Sequence, residues 1–265
     1  MRPGRTALLA AAVAVTCLGC LLRRTRTGGH AVAPVDYVRR SFQSSLAGCS
    51  DPSSHIPAPC VRLDVEYVEP TRSSVALAKA VGRFVAAAAL HPLAEGAPLP
   101  DVETLRDELY DAYGEIQQRV PDYRVPWVIE RKVTVACNTA RLQGLVASER
   151  SFTGGAHRTE RVEYRSFETE SGTPIGLDAL VAPENRAAFA AEVERRAHEG
   201  GPTGLWPTPQ TAKAALPDQQ LAGGENLLVC PDTITFRWPR SGASGDTEVV
   251  VPRAEVRALL RADAP

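Results

Sequence analysis

The residues best placed for chemistry lie in one short run, Ser151-Phe152-Thr153-Gly154-Gly155-Ala156-His157. Adjacent glycines accept backbone conformations that strain other residues, so this run predicts a sharp, exposed turn that carries an imidazole. The imidazole could act as a general base for Ser151, with Asp178 as its orienting acid, or it could contact a ligand. It could also hydrogen-bond within the turn, and this structural role is the one we expect first.

No catalytic motif supports the role of a base. The chain has no Gly-x-Ser-x-Gly elbow, no phosphate-binding loop and no His-Glu-x-x-His helix. Asp178 is more typical of a helix cap or a turn former than of an acid catalyst. We therefore expect no catalytic residue and no cofactor. The candidate binding residues of the turn are Thr153, Gly154, Gly155 and His157.

A fifth candidate binding residue, Trp206, lies in the stretch Pro202 to Gly224, which is rich in proline, glycine and glutamine. This composition predicts a long surface loop, and loops of such length are usually functional or disordered. Trp206 is then a recognition aromatic, or it packs beneath its own loop, which is the more common arrangement.

Four cysteines remain once the N-terminal pair is set aside: Cys49, Cys60, Cys137 and Cys230. An even number in an exported chain is typical of disulfides, although four cysteines allow three pairings and the sequence does not choose among them. We expect Cys49 to pair with Cys60 and Cys137 with Cys230. A zinc site is the weaker interpretation, because these four include no Cys-x-x-Cys pair and no His-x-x-x-His partner accompanies them.

The N-terminus has the pattern of a secretory signal. Arg2 and Arg5 precede an uncharged apolar stretch from Ala7 to Leu22, which is short of the roughly 20 residues that span a bilayer. Leu18-Gly19-Cys20 is similar to the end of a bacterial lipoprotein processing site, with Cys20 as the lipidated residue. Cys17 stands where that pattern usually has leucine. An uncleaved signal anchor and simple secretion are the alternatives.

Charge and composition narrow the class of partner. The chain has 265 residues and is 44% hydrophobic, which is enough to bury a full core. Its formal net charge is −1, but residues 31–265 carry 25 Lys and Arg against 31 Asp and Glu, a balance of −6. A mildly acidic body argues against nucleic acid and favours, weakly, a cationic protein ligand.

Two helices are expected before Pro126, beyond which the apolar residues change from helical spacing to strict alternation. Ser73 and Ser74 are suited to cap a helix that ends at His91-Pro92, where proline disfavours further helix, and Asp101 caps a second helix. Val61 to Val68 alternates apolar and polar residues and predicts a strand.

Beyond Pro126 the alternation predicts antiparallel strands. A helix from Pro183 and a short closing helix from Pro252 to Leu260 complete the expected elements. Together these elements predict an α+β fold, in which a mainly antiparallel sheet packs with several helices.

Two motifs carry a resemblance to a known family. The run from Phe152 to His157 and the segment from Phe167 to Leu180, which contains Leu177-Asp178-Ala179-Leu180, resemble the extracytoplasmic domain of unknown function at the C-terminus of the anti-sigma factor RsiV. The same family includes a secreted mycobacterial immunogenic protein and domains beside peptidoglycan deacetylases. The N-terminal pattern predicts a signal peptide with a lipoprotein site at 1–22 and a tether at 23–48. The resemblance implies an α/β partner region at 49–126 and the RsiV-type domain at 127–265.

The resemblance also implies a function. RsiV-type domains bind or sense, so we expect a noncatalytic, exported binding domain, held in a bacterial envelope as a lipoprotein. The implied ligands are peptidoglycan or a lysozyme-like muramidase. Anti-sigma activity is not expected, since only six residues precede the apolar stretch. The alternatives are a cell-wall modifying hydrolase that uses the His157 region and a purely structural envelope lipoprotein.

Overall fold

The computed structural model describes residues 34–46, 49, 60–94, 96–199, 226–238 and 247–265. These described residues belong to one compact unit. The expected signal peptide, Cys20 and Trp206 with its loop lie outside the described residues. Within the described residues no helix is both long and apolar enough to cross a membrane.

Eight strands and five α-helices make up the described fold. In chain order they are β1 (Asp36–Leu46), β2 (Val61–Arg72), α1 (Val75–Ala89), α2 (Val102–Arg119), β3 (Trp127–Asn138), β4 (Leu142–Phe152), β5 (Thr159–Glu168), α3 (Leu177–Leu180), α4 (Arg186–Glu199), β6 (Leu227–Val229), β7 (Thr233–Trp238), β8 (Thr247–Pro252) and α5 (Arg253–Val256). A 3-10 turn, Pro183–Asn185, precedes α4.

The strands form a five-stranded sheet in the order β1-β2-β3-β4-β5 and a three-stranded sheet in the order β6-β7-β8. Every pairing is antiparallel except that of β2 with β3, which is parallel. The prediction of an α+β fold with a mainly antiparallel sheet is confirmed. The parallel pair crosses residue 126, so one sheet spans the boundary expected there.

Both helix starts expected from local sequence are present. The Ser74 hydroxyl accepts a hydrogen bond from the backbone N–H of Leu77 at 3.1 Å, and the Asp101 carboxylate accepts one from Thr104 at 2.7 Å. These bonds satisfy N–H groups that have no partner inside the helix. Helix α1 ends at Ala89, just before the His91-Pro92 stop.

The larger core lies between the five-stranded sheet and the two long helices. Residues of β2 alternate between a fully buried inner side, with Val61, Leu63 and Val65, and a partly exposed outer side. Helix α1 contacts β2 through β5, and α2 contacts β1 and β2. We call the side of the sheet that faces these helices the inner face and the opposite side the outer face.

A second, smaller core packs α4 against the three-stranded sheet, with the rings of Phe189 and Phe236 5.9 Å apart. The two sheets are joined by the disulfide between Cys137 and Cys230, whose Cα atoms are 5.8 Å apart. Gly144 leaves room for this bridge, because a Cβ there would collide with the Cys137 sulfur. The other disulfide joins Cys49 and Cys60, so the structure has both expected pairings.

Two expectations from sequence are corrected. The segment 23–48 was expected to be a tether, but Asp36–Leu46 is strand β1, paired with β2 along its length. Most of its side chains are exposed, so it lacks the apolar alternation that reveals a strand. The closing helix is also shorter than expected, since Pro252 ends β8 and α5 has four residues.

The five-stranded sheet has two distinct ends. At one end the chain enters from the N-terminus, where Val35 and the Asn138 side chain exchange hydrogen bonds of 2.9 and 2.6 Å. At the other end β4 turns into β5 through Thr153 to Arg158. With 11 residues in β1 and about 3.4 Å per residue, the N-terminal end and the turn end are roughly 34 Å apart.

Candidate binding surface

The outer face of the five-stranded sheet is open near the turn end. At the N-terminal end the second sheet covers it, where the Ser166 hydroxyl accepts a hydrogen bond from Val229 N–H at 2.8 Å. Towards the turn end the outward residues are polar or charged and line a cleft of about 370 Å³. We call this region the open sheet face, and its charged outward residues are Asp64, Glu66, Glu130, Lys132, Arg150 and Glu160.

The alternation of side chains along each strand explains why these charged residues lie on one face of the sheet. Asp64 lies directly beside Glu130 in the β2–β3 register, and Glu66 lies beside Lys132. Glu130 in turn lies opposite Arg150 on β4. Since successive side chains of a strand point to opposite faces, these neighbours all project outwards, away from the buried inner positions.

Ion pairs link neighbouring side chains on the open sheet face. Arg62 pairs with Asp64 at 2.8 Å and also contacts Glu130, while Glu66 lies 3.3 Å from Lys132. Burial raises the pKa of Asp64 above its ordinary value, and Arg62 opposes this shift while the nearby Glu130 carboxylate adds to it. Desolvation is thus the main effect on Asp64, and the carboxylates that line the cleft outnumber its outward-facing cations by four to two.

The turn beside this surface is shaped by Gly154, whose φ is +88°. Its backbone lies against the Tyr123 hydroxyl, which accepts a hydrogen bond from the Trp127 indole N–H at 3.0 Å. A Cβ on Gly154 would collide with that hydroxyl. The turn therefore packs closely on the hydrogen-bonded pair of Tyr123 and Trp127.

Gly154→Ala should consequently lower the free energy of unfolding by about 2 to 3 kcal/mol, because it adds both a positive-φ penalty and a clash. Gly155→Ala is the matched control, since its Cβ would meet nothing closer than 3.9 Å and its φ is not positive. Urea unfolding of both variants measures the difference. Equal stability of the two would contradict this account of the turn.

His157 is exposed, and its ring makes no hydrogen bond within the part of the chain that the structure describes. The hydrogen bond expected to fix the turn through this ring is therefore not seen. Thr153, Gly154 and Gly155 are exposed beside it. The structure thus brings four of the five candidate binding residues together on one accessible turn.

The structure does not bring His157 and Asp178 together as a base and its orienting acid. His157 precedes β5 and Asp178 follows it, and a ten-residue strand separates its ends by about 30 Å. The Asp178 carboxylate instead accepts a hydrogen bond from Arg186 at 2.5 Å, and Gly176, not Asp178, is the N-cap of α3. Among the described residues, no group of three His, Cys, Asp or Glu side chains is placed to hold a metal ion.

A buried polar network on the inner face was not predicted from the sequence. Arg131 on the inner face is 3% exposed; it donates to the His91 carbonyl at 2.6 Å and lies 2.8 Å from the His91 ring Nε2. That same ring nitrogen lies 3.0 Å from the Glu149 carboxylate. The sequence carries one sign of this network: Arg131 occupies an inward-facing position of β3, where the other inward-facing residues are apolar.

The pKa shifts of this network have definite causes. Burial lowers the pKa of Arg131, and the charge of Glu149 opposes that effect. Burial would raise the pKa of Glu149, but hydrogen bonding to His91 and the charge of Arg131 outweigh it and hold that pKa below its ordinary value. Because Arg131 also donates to the carbonyl of Ala89, the last residue of α1, at 3.4 Å, the network holds the end of this helix on the sheet.

Comparison with known proteins places the fold. No protein-family model and no curated protein matches the chain. Among solved structures, a DUF3298 family protein from Bacteroides fragilis has a TM-score of 0.60 at 15% identity, covering 88% of this chain and 96% of its own. A DUF3298 family protein from Pseudomonas aeruginosa has a TM-score of 0.57 at 16% identity, covering 88% and 97%. The chain thus has the fold of bacterial DUF3298 proteins, a family whose function is not established.

Proposed function

We propose that this protein is a noncatalytic binding domain of the RsiV type, exported to a bacterial cell envelope and anchored there by a lipid on Cys20. The observation that carries the proposal is the open sheet face, a charged cleft at the same end of the sheet as an exposed turn whose histidine has no internal partner in the described structure. The two disulfides support an oxidising compartment.

The position of this surface suits an anchored receptor. The chain enters the folded body at Val35, and the turn from Thr153 to Arg158 lies at the far end of the sheet. A body attached to a membrane through its N-terminus would hold the turn and the open sheet face outwards. Ligands in the envelope would then reach both without steric hindrance from the bilayer.

The ligand that fits best is a cationic protein, for which a lysozyme-like muramidase is the concrete candidate. Four carboxylates line the cleft, those of Asp64, Glu66, Glu130 and Glu160, against the two outward-facing cations Lys132 and Arg150. Residues 31–265 are acidic as a whole, which would speed the encounter with a basic partner. Peptidoglycan, the other ligand implied by the resemblance, offers no comparable positive charge.

Neutralising three of these carboxylates, in the variant Asp64→Asn, Glu66→Gln and Glu130→Gln, should weaken lysozyme binding at least tenfold. Rim and interface charges of this kind are worth on the order of 1 kcal/mol each, and their loss also reduces the salt dependence. Calorimetric titration with hen lysozyme at two salt concentrations measures both effects.

A control variant on α2 removes the same charge from the opposite side of the sheet. Glu103→Gln, Asp111→Asn and Glu115→Gln change three exposed carboxylates of that helix and should leave the affinity within twofold. Equal weakening by both variants would mean that overall charge, not this surface, attracts lysozyme. Absence of any heat with the unaltered protein at micromolar concentration would remove lysozyme as the ligand, and a pull-down with peptidoglycan fragments would follow.

A further inference from the structure

We propose that a second cleft, at the N-terminal end of the sheet, binds the phosphate groups of anionic phospholipids and so seats the body on the membrane surface. This arginine cleft has a volume of about 1070 Å³ and lies between the β3–β4 turn and the C-terminal segment. Four of its lining residues are arginines: Arg141, Arg253, Arg257 and Arg261.

Two of the four arginines of the arginine cleft are uncompensated. The side chains of Arg141 and Arg257 have no hydrogen bond or ion pair in the part of the chain that the structure describes. Arg253 donates to the Cys230 carbonyl at 3.3 Å, and Arg261 to Asp263 at 3.4 Å. Among the described lining residues the one carboxylate is that of Asp232, so the cleft favours an anion.

Burial and mutual repulsion act on these arginines. Burial lowers the pKa of Arg253, the charge of Arg141 lowers it further, and Asp232 opposes both. A bound phosphate would relieve the repulsion between Arg141 and Arg253. Arginine matches phosphate particularly well, because its planar guanidinium presents several donors at once.

The floor of the cleft favours a lipid over a free anion. Leu142 and Leu260 lie among its lining residues, together with several alanines and prolines. A site for inorganic phosphate needs polar walls alone. A phospholipid headgroup brings glycerol and the start of two acyl chains, which apolar walls accommodate.

The cleft lies at the end of the body where the chain enters, so we take the membrane to be the source of the lipid. Asn138, whose side chain binds the backbone of Val35, is three residues from Arg141, so the chain enters the body beside the cleft. An anchor preceding residue 34 would bring this end to the bilayer, and the turn end would face away. This step rests on the anchor proposed above but not on the identity of the ligand.

The test uses the full chain in dodecyl maltoside micelles that contain increasing fractions of phosphatidylglycerol, with phosphatidylcholine or inorganic phosphate in parallel. Phosphatidylglycerol should raise the midpoint of thermal unfolding, because it binds the folded state. Because each arginine contributes to attraction by an anionic surface, Arg141→Gln with Arg257→Gln should need at least tenfold more phosphatidylglycerol for half of the shift.

The matched control is Lys79→Gln with Arg83→Gln, two exposed cations of α1 away from the cleft that also have no partner in the described structure. This control should respond as the unaltered chain does. An equal shift with phosphatidylcholine, an equal shift with inorganic phosphate, or an unchanged response of the Arg141 and Arg257 variant would each overturn the inference. Lysozyme binding retained in that variant would separate such a failure from a failure of the proposed function.

Discussion

Replacing Cys137 and Cys230 by serine should lower the free energy of unfolding by about 4 to 5 kcal/mol. These cysteines are 93 residues apart in sequence, so their bond closes a long loop and removes much of the entropy of the unfolded chain. The bond also joins β3 of the larger sheet to the end of β6. Denaturant unfolding without reductant measures the effect.

The second disulfide provides a control within the same chain. Cys49 and Cys60 are 11 residues apart, and a loop of this size predicts about 3 kcal/mol. The variant with serine at Cys49 and Cys60 should therefore retain more stability than the variant at Cys137 and Cys230. The reverse order would show that loop closure is not the dominant effect, and that the folded state near one bridge is strained or loosely packed.

The helix starts and the β4–β5 hairpin were predictable because each depends on nearby residues. Ser74 and Asp101 each cap a helix through an N–H three residues further along the chain. Gly154 and Gly155 mark a turn that joins two strands of matching alternation. Short-range hydrogen bonds and turn geometry need no knowledge of the rest of the fold.

Strand β1 and the parallel pairing of β2 with β3 were not predictable in the same way. Most side chains of β1 are exposed, and Tyr37 and Phe42 are its main contacts with the core. Alternation tells which residues of a strand face inwards but not which strand lies beside it. The neighbours β2 and β3 are separated in sequence by both long helices, so their pairing depends on how those helices pack.

The candidate site was also only partly predictable from local sequence. The sequence revealed the turn, since its glycines are adjacent, but not the open sheet face, which is built from five strands through long-range register. Asp64 and Glu130 are 66 residues apart in sequence and adjacent in the sheet. No local pattern links them, so the charge on this surface is visible once the strand order is known.

Arg131→Met should be the most destabilising single substitution of a polar residue, by about 3 kcal/mol or more. Arg131 is almost fully buried, and its guanidinium binds the His91 carbonyl and neutralises Glu149. Methionine leaves that carboxylate and the carbonyls at the end of α1 without this partner. The charge of a partly buried carboxylate is costly when it has lost its cation.

A double-mutant cycle separates the loss of the pair from the loss of packing. Glu149→Met in addition to Arg131→Met should restore part of the stability, because two apolar residues replace a buried ion pair with little net cost. Since the pKa of Glu149 is depressed, this carboxylate stabilises the fold above its ordinary pKa, and the contribution is lost as the pH falls. Glu149→Gln should therefore flatten the loss of stability below about pH 4.5. Additive effects in the cycle, or an unchanged pH profile, would mean that the carbonyls of α1 are the essential partners of Arg131 and that Glu149 contributes little.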